Sequence, residues 1–175
     1  MENKMKNILI TEDQIKEKIV SLGALISKDY EGKKLYILSL LRGSFIFTAD
    51  LVRCIEVPTK IGFMTTSSYG NNEESNGIVN VLYDVPDNIV GFDVLIVDDI
   101  VDTGITMNFV KDHLEKLGAA SIKCCVLLDK PDRRTLSIVP DYCCFKIPDL
   151  FVVGYGLNYG DYYRNIPYIF NFKDQ

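Results

Sequence analysis

The feature that most constrains the fold is residues 94–106, VLIVDDIVDTGIT. The apolar run 94–97 predicts a strand buried on both faces, as in a parallel sheet, and Asp98 and Asp99 stand where we expect that strand to end. Apolar residues three or four positions apart from Met107 onward then predict a helix that Gly118 closes. The loop between them is rich in hydroxyls and glycine, and the first backbone N–H groups of a helix lack partners within it. The pattern therefore predicts a phosphate-binding loop.

Three carboxylates lie in or beside this loop: Asp98, Asp99 and Asp102. Carboxylates so close to a phosphate repel it unless a sugar diol or a divalent cation such as Mg²⁺ lies between them. Asp102, at the mouth of the loop, could instead face the reacting centre as a general base. Helix capping would explain one such residue, but three exceed what capping needs, and open α/β sheets bind ligands at this end of their strands. We therefore favour a site for a phosphorylated sugar with a metal ion.

Length, charge and cysteine usage exclude several classes of protein. A chain of 175 residues fits one domain, and a net charge of −5 without a basic run argues against nucleic acid as a partner. The N-terminal apolar run is too short for a signal peptide and no stretch reaches the length of a membrane span, so we expect a cytoplasmic protein with no membrane partner. The five cysteines include two adjacent pairs, which fit no disulfide framework, so we expect buried thiols.

A second strand, loop and helix precede this unit. The apolar run 35–41 predicts a strand that leads into Arg42 and Gly43, where the arginine could hold an anion and the glycine permits close backbone approach. A solvated arginine in a turn is equally open. Residues 60–66 and 78–84 predict two strands around a polar loop, which is either a lid over the site or a disordered hairpin tip.

The two ends of the chain complete the predicted domain, which spans residues 1–175. Thr11 and Gln14 predict the capping box of a first helix. Residues 121–128 predict another strand, and Lys130 follows its end, although a lysine in a turn is usually solvated. The stretch 141–175 is rich in aromatic residues and lacks helical periodicity. Together with the N-terminus, it is expected to form a small hood over the sheet.

Five motifs resemble those of the 6-oxopurine phosphoribosyltransferases, a branch of the type I phosphoribosyltransferases, and they follow one another along the chain as they do in that family. Their phosphoribosyl diphosphate motif resembles residues 97–106, in which an acidic pair is followed by two aliphatic residues and Asp-Thr-Gly-x-Thr. The purine branch is indicated by LLRGSF at 40–45, SSYG at 67–70, LDKPDRR at 128–134 and IPDLFVVGYGLNYGDYYRNIPY at 147–168.

The resemblance covers nearly the whole chain and implies the fold and the reaction. The fold would be α/β, a Rossmann-like, mostly parallel sheet flanked by helices, with a small hood and a flexible lid loop at about residues 67–78. The reaction would be purine salvage: transfer of the phosphoribosyl group from phosphoribosyl diphosphate to hypoxanthine or guanine, releasing diphosphate. Such enzymes use Mg²⁺ and form dimers or tetramers, so we expect a homo-oligomer.

The resemblance also implies roles for the residues of the central motif. The loop around the 5′-phosphate would consist of Asp102, Thr103, Gly104, Ile105 and Thr106. Asp102 would in addition be the general base that handles the proton at purine N7. Asp98 and Asp99 would hold the ribose hydroxyls close to Mg²⁺, with Asn158 as a further metal ligand.

The remaining motifs imply contacts to the base and to diphosphate. Lys130 would donate to purine O6, which selects oxopurines over adenine. Phe151 would stack on the base and the main chain of Val152 would hydrogen-bond it. The diphosphate would be held by Arg42, Gly43 and Arg164, and the lid would close through Ser68 and Tyr69.

Two positions depart from the family pattern. Asp98 stands where the family often has glutamate, and its shorter side chain should still reach a hydroxyl. Asn158 stands where the family usually has an aspartate that binds Mg²⁺, and a neutral oxygen predicts a weaker metal contact.

Two other functional classes fit part of the pattern. A nucleotide-sensing regulator with weakened catalysis would accommodate Asn158, but retention of Asp102 and Lys130 argues against it. A phosphoacceptor domain that uses Asp98 would leave the Thr-Gly-x-Thr loop without purpose. The transferase is our prediction.

Overall fold

The computed structural model describes residues 6–68, 79–85 and 88–173, and a six-stranded sheet lies at its centre. The strands are β1 (Lys6–Ile10), β2 (Leu35–Leu41), β3 (Thr59–Ser68), β4 (Val79–Tyr83), β5 (Asp93–Val101), β6 (Ser121–Asp129), β7 (Tyr142–Lys146) and β8 (Ile169–Phe172); the helices are α1 (Glu12–Asp29), α2 (Phe45–Val52) and α3 (Ile105–Lys116). The sheet has the order β4-β3-β2-β5-β6-β7, and its strands run parallel except β4 at one edge. The predicted α/β fold, a Rossmann-like and mostly parallel sheet flanked by helices, is confirmed.

Helices cover both faces of the central sheet. In β5, Leu95 and Val97 pack with α1 and α2 on one face, and the alternate residues pack with α3 on the other. Burial on both faces explains why this strand is a continuous apolar run. The first helix starts as predicted, since the Thr11 hydroxyl accepts from the Gln14 backbone while the Gln14 side chain accepts from the Thr11 backbone.

Two predictions were wrong: the end of β5 and the placement of residues 142–146. β5 does not end before the acidic pair but continues to Val101, because Asp98 and the residues after it stay in parallel register with β6. Residues 142–146, which the sequence analysis assigned to the hood, form β7 at the edge of the central sheet. This strand pairs with β6; Tyr142 and Cys144 pack into the core on one face, and Cys143 packs against the core on the other.

The chain ends form a separate small sheet, in which β1 and β8 pair antiparallel. Phe170 and Phe172 of β8 contact one another and Tyr163 in edge-to-face geometry. The polar loop connects β3 to β4, and its residues 69–78, including Tyr69, lie outside the described residues. Within the described ranges, no helix combines the length and apolar character needed to cross a membrane.

Candidate active site

Three strand ends meet at one edge of the central sheet. β2, β5 and β6 are neighbours and run parallel, so the residues that follow them share the carboxyl edge. Arg42 and Gly43 follow β2, Asp102 follows β5, and Lys130 follows β6. The fold therefore brings together residues that are far apart in the chain, at the edge where sheets of this kind bind ligands.

The loop between β5 and α3 presents an uncapped helix start. Gly104 precedes α3 with a φ of 88°, a conformation that glycine adopts without strain. Its position lacks a side chain to cap the helix, and the Thr103 hydroxyl makes only a long contact, 3.4 Å, with the Ile105 N–H. A pocket of about 220 Å³ opens here, lined by this loop and by Thr106 in the first turn of α3. Free backbone donors beside a pocket are suited to a phosphate.

The segment after β6 supports this loop from outside the pocket. The Thr103 carbonyl accepts hydrogen bonds from the backbone N–H groups of Thr135 and Leu136, at 3.0 and 3.2 Å. A Cβ placed on Gly104 would lie 2.6 Å from a methyl carbon of Ile138. Sequence reasoning missed these supporting residues, because only their closeness in the fold gives them a role.

The acidic pair lies near the end of β5. Burial raises the pKa of both carboxyl groups, and the charge of Asp99 raises the pKa of Asp98 further. The positive charge of the Arg164 guanidinium lowers the pKa of Asp99 and so partly offsets the effect of burial. Two partly buried carboxylates side by side favour a ligand that donates hydrogen bonds or carries positive charge, such as a sugar diol or a divalent cation.

A close backbone packing ties the β2 loop to this acidic pair. A Cβ on Gly43 would lie 1.7 Å from the Asp99 Oδ2, and a Cβ on Gly156 would lie 2.1 Å from the Gly43 carbonyl oxygen. Arg164 Nη1 in turn donates to the Gly156 carbonyl at 2.6 Å. The peptide bond between Leu41 and Arg42 is cis. Gly43, Asp99 and Arg164 thus belong to one packed unit, while the side chain of Arg42 is exposed beside it.

Lys130 and Asp102 are connected by charged side chains. Lys130 is buried, and its Nζ lies 3.6 Å from Asp149 Oδ1. Arg133 places Nη1 3.5 Å from the same oxygen and Nε 3.0 Å from Asp102 Oδ1. The Asp102 Oδ1 is buried and, among the described residues, has no hydrogen-bond partner of good geometry. It is therefore an acceptor with unused capacity beside the phosphate-binding loop.

The remaining predicted site residues, Phe151, Val152, Asn158 and Ser68, differ in their exposure and contacts. Phe151 is half exposed and meets Tyr159 edge to face, whereas Val152 is buried. The amide nitrogen of Asn158 donates to the Gly160 carbonyl, so its oxygen is the atom left for another partner. Ser68 is the last residue of β3. Among the residues that the structure describes, no three His, Cys, Asp or Glu side chains are arranged to hold a metal ion.

Comparison with known proteins identifies the family. Residues 8–160 match the family model described as the phosphoribosyl transferase domain. A hypoxanthine-guanine phosphoribosyltransferase from Streptococcus pneumoniae is 44% identical over 175 residues, which cover 100% of this chain and 97% of that protein. A hypoxanthine phosphoribosyltransferase from Haemophilus influenzae is 46% identical over 166 residues, 93% of each chain.

Solved structures agree with these relatives. The crystal structure of a hypoxanthine phosphoribosyltransferase from Staphylococcus aureus superposes with a TM-score of 0.94 at 43% identity, covering 98% of this chain and 93% of that one. A hypoxanthine-guanine phosphoribosyltransferase from Bacillus anthracis gives a TM-score of 0.91 at 42% identity, covering 97% of this chain and 99% of the other. The chain therefore belongs to the phosphoribosyltransferase family, within its hypoxanthine-guanine branch, and the purine salvage transferase that its motifs predicted is confirmed.

Proposed function

We propose that the chain transfers the phosphoribosyl group of phosphoribosyl diphosphate to N9 of hypoxanthine or guanine and releases diphosphate. One observation carries the proposal: the buried Oδ1 of Asp102, which only the charge of Arg133 approaches among the described residues, lies beside an uncapped helix start and at the same sheet edge as buried Lys130. A phosphate site, a proton acceptor and a cation that can recognise a carbonyl are thereby combined. This combination supports catalysis rather than nucleotide sensing alone.

The phosphate and ribose contacts come from β5 and α3. The 5′-phosphate binds the backbone N–H groups and hydroxyls of the loop formed by Asp102, Thr103, Gly104, Ile105 and Thr106. Asp98 and Asp99 accept from the ribose hydroxyls. Because burial holds the pKa of each carboxyl above its usual range, contact with these donors would stabilise the charged forms.

The base contacts discriminate between purines. Lys130 donates to O6 of an oxopurine, an interaction that the amino group of adenine does not offer. The exposed face of Phe151 stacks on the base and the main chain of Val152 hydrogen-bonds its edge. Asp102 accepts the proton from purine N7 as N9 bonds to the ribose, so the neutral base does not become a cationic product.

The diphosphate is held by Arg42, Gly43 and Arg164, which stabilise negative charge as the bond at ribose C1′ breaks. Mg²⁺ fits the carboxylate oxygens of Asp98 and Asp99 at this edge, and the family resemblance adds the amide oxygen of Asn158, because all three are hard oxygen ligands. They would hold the ion together with substrate oxygens, and the bound ion would supply neutralising charge at the diphosphate. The neutral amide of Asn158 makes its contact the weakest of the three.

We also propose a cytoplasmic homodimer or homotetramer whose lid residues Ser68 and Tyr69 close over the site. Exposed apolar side chains support self-association: Phe45 on α2 and Ile61 and Phe63 on β3 are each more than two-fifths exposed. Light scattering coupled to size-exclusion chromatography measures the assembly directly, and a monomer at micromolar concentration would contradict it.

Product formation tests the proposed activity. The purified protein is incubated with phosphoribosyl diphosphate, Mg²⁺ and, in parallel, hypoxanthine, guanine, xanthine or adenine, and nucleotide and diphosphate are quantified. We expect nucleotide from hypoxanthine or guanine and none from adenine. Nucleotide binding without product from any base would refute the proposed activity and favour a sensor.

A further inference from the structure

Four charged side chains from three segments form a continuous ionic chain across the base site. The ionic chain runs Lys130, Asp149, Arg133, Asp102, with successive atom pairs at 3.6, 3.5 and 3.0 Å. Its two ends are the groups that the proposed function assigns to purine O6 and N7. Its two middle members have no role in that proposal.

Asp149 is the member that both cations share. Lys130 Nζ and Arg133 Nη1 approach the same carboxylate oxygen, Oδ1. A backbone hydrogen bond joins the two segments next to this contact, because the Ile147 N–H donates to the Asp129 carbonyl at 2.9 Å, one residue before Lys130. Lys130 itself is buried, and a buried ammonium needs a partner of opposite charge.

The geometry of the purine explains why such a chain is useful. O6 and N7 lie on the same edge of a 6-oxopurine, so the groups that recognise them must approach side by side. Lys130 and Asp102 carry opposite charges, and their attraction would favour a direct ion pair that blocks this edge. Asp149 and Arg133 offer each of them another partner, which keeps the edge accessible to the base.

We propose that Asp149 is a positioning residue for base recognition. It orients the Lys130 ammonium toward O6 and, through Arg133, keeps the Asp102 carboxylate apart from that ammonium. The charged groups that Asp149 contacts are Lys130 and Arg133, so we expect its effect to be on the base. This inference rests on the proposed function.

The variant Asp149→Asn tests the inference, because it keeps the shape of the side chain and removes its charge. We expect the KM for hypoxanthine to rise about fivefold, as for the loss of one partly exposed ion pair, while the KM for phosphoribosyl diphosphate stays unchanged. Asp149→Glu should restore most of the affinity for the base. Asp132→Asn is the matched control, since Asp132 is an exposed carboxylate in the same segment as Arg133, and it should match the wild type.

A double-mutant cycle separates positioning from a general structural effect. In a Lys130→Gln background, Asp149→Asn should change the KM for hypoxanthine by less than about twofold, because the group through which it acts is gone. An equal effect in both backgrounds, or an equal rise in the KM for phosphoribosyl diphosphate, would overturn the inference. If Asp149→Asn does not fold, Arg133→Gln interrupts the ionic chain from the other side and should likewise raise the KM for hypoxanthine. A wild type without turnover would refute the proposed function, whereas an active wild type matched by Asp149→Asn would refute only this inference.

Discussion

Replacing Gly43 with alanine should disable the site while the fold persists. The added Cβ would lie 1.7 Å from Asp99 Oδ2 and 2.4 Å from its Cγ. Non-bonded atoms prefer about 3.5 Å, so this separation must open by roughly 1–2 Å. The loop cannot retreat freely, because its carbonyl lies against Gly156 on the other side. The Asp99 carboxylate must therefore move away from its position in the site.

The expected magnitudes follow from this overlap. Overpacking a well-packed site costs about 1–3 kcal/mol in the free energy of unfolding. For a chain of this length each kcal/mol lowers the melting temperature by roughly 2–4 °C. A displacement of about 1 Å in a substrate-positioning group can lower activity by about 10²-fold. We therefore expect a kcat/KM for phosphoribosyl diphosphate about 10²-fold below the wild type, with a melting temperature lower by several degrees.

Gly91→Ala is the control for a glycine substitution that costs stability alone. Gly91 has a φ of 75°, and no atom lies within 4 Å of its added Cβ. Its turn precedes β5, at the opposite end of that strand from the site. Alanine there should cost roughly 1–2 kcal/mol of stability and leave the kinetics unchanged. Wild-type kinetics in Gly43→Ala, or an equal loss of activity in Gly91→Ala, would refute the argument.

Three further predictions concern the general base, the metal and a buried thiol. Asp102→Asn should lower kcat by about 10²–10⁴-fold with little change in the KM for phosphoribosyl diphosphate, and a loss below tenfold in steady-state assays would contradict its role as base. Removing Mg²⁺ with a chelator should abolish turnover without changing the melting temperature of the substrate-free protein, because the proposed metal site is completed by substrate oxygens. Burial raises the pKa of the Cys144 thiol to about 12, so above pH ~8.5 the unfolded chain loses a proton that the folded chain retains, and this thiol alone should lower the free energy of unfolding by about 1.4 kcal/mol per pH unit. Burial also raises the pKa of Cys124, Cys125 and Cys143, so urea titrations at pH 8, 9 and 10 should show a steeper total slope, which Cys144→Ala should reduce by about 1.4 kcal/mol per pH unit.

Local sequence patterns predicted the elements that depend on neighbouring residues. The capping box of Thr11 and Gln14 and the glycine at position 104 are decided within a few residues, so their sequence signals were sufficient. The central strands β2, β5 and β6 could be predicted because burial on both faces produces continuous apolar runs. Motif resemblance supplied the family, which the comparisons confirmed.

Features that depend on distant pairing were predicted poorly. The end of β5 is set by its pairing with β6, so the prediction that the strand ends at the acidic pair was wrong. The placement of β7 depends on space beside β6, which no local pattern records. The roles of Arg133 and Asp149 arise because two loops meet at one sheet edge, and their sequence contexts alone resemble solvated turns.

The extension of β5 past the acidic pair separates two kinds of carboxylate in the site. Asp98 and Asp99 sit within a strand that is paired on one side by β6, so their backbone positions are fixed before any ligand binds. Asp102 follows the strand, in a loop that backbone hydrogen bonds to Thr103 support and where Arg133 contacts its carboxylate. In the proposed reaction the ribose contacts require fixed geometry at the sugar, whereas the group that accepts the N7 proton must lie within hydrogen-bond distance of the base. The strand end therefore falls between the residues that we propose to hold the sugar and the residue that we propose as the general base.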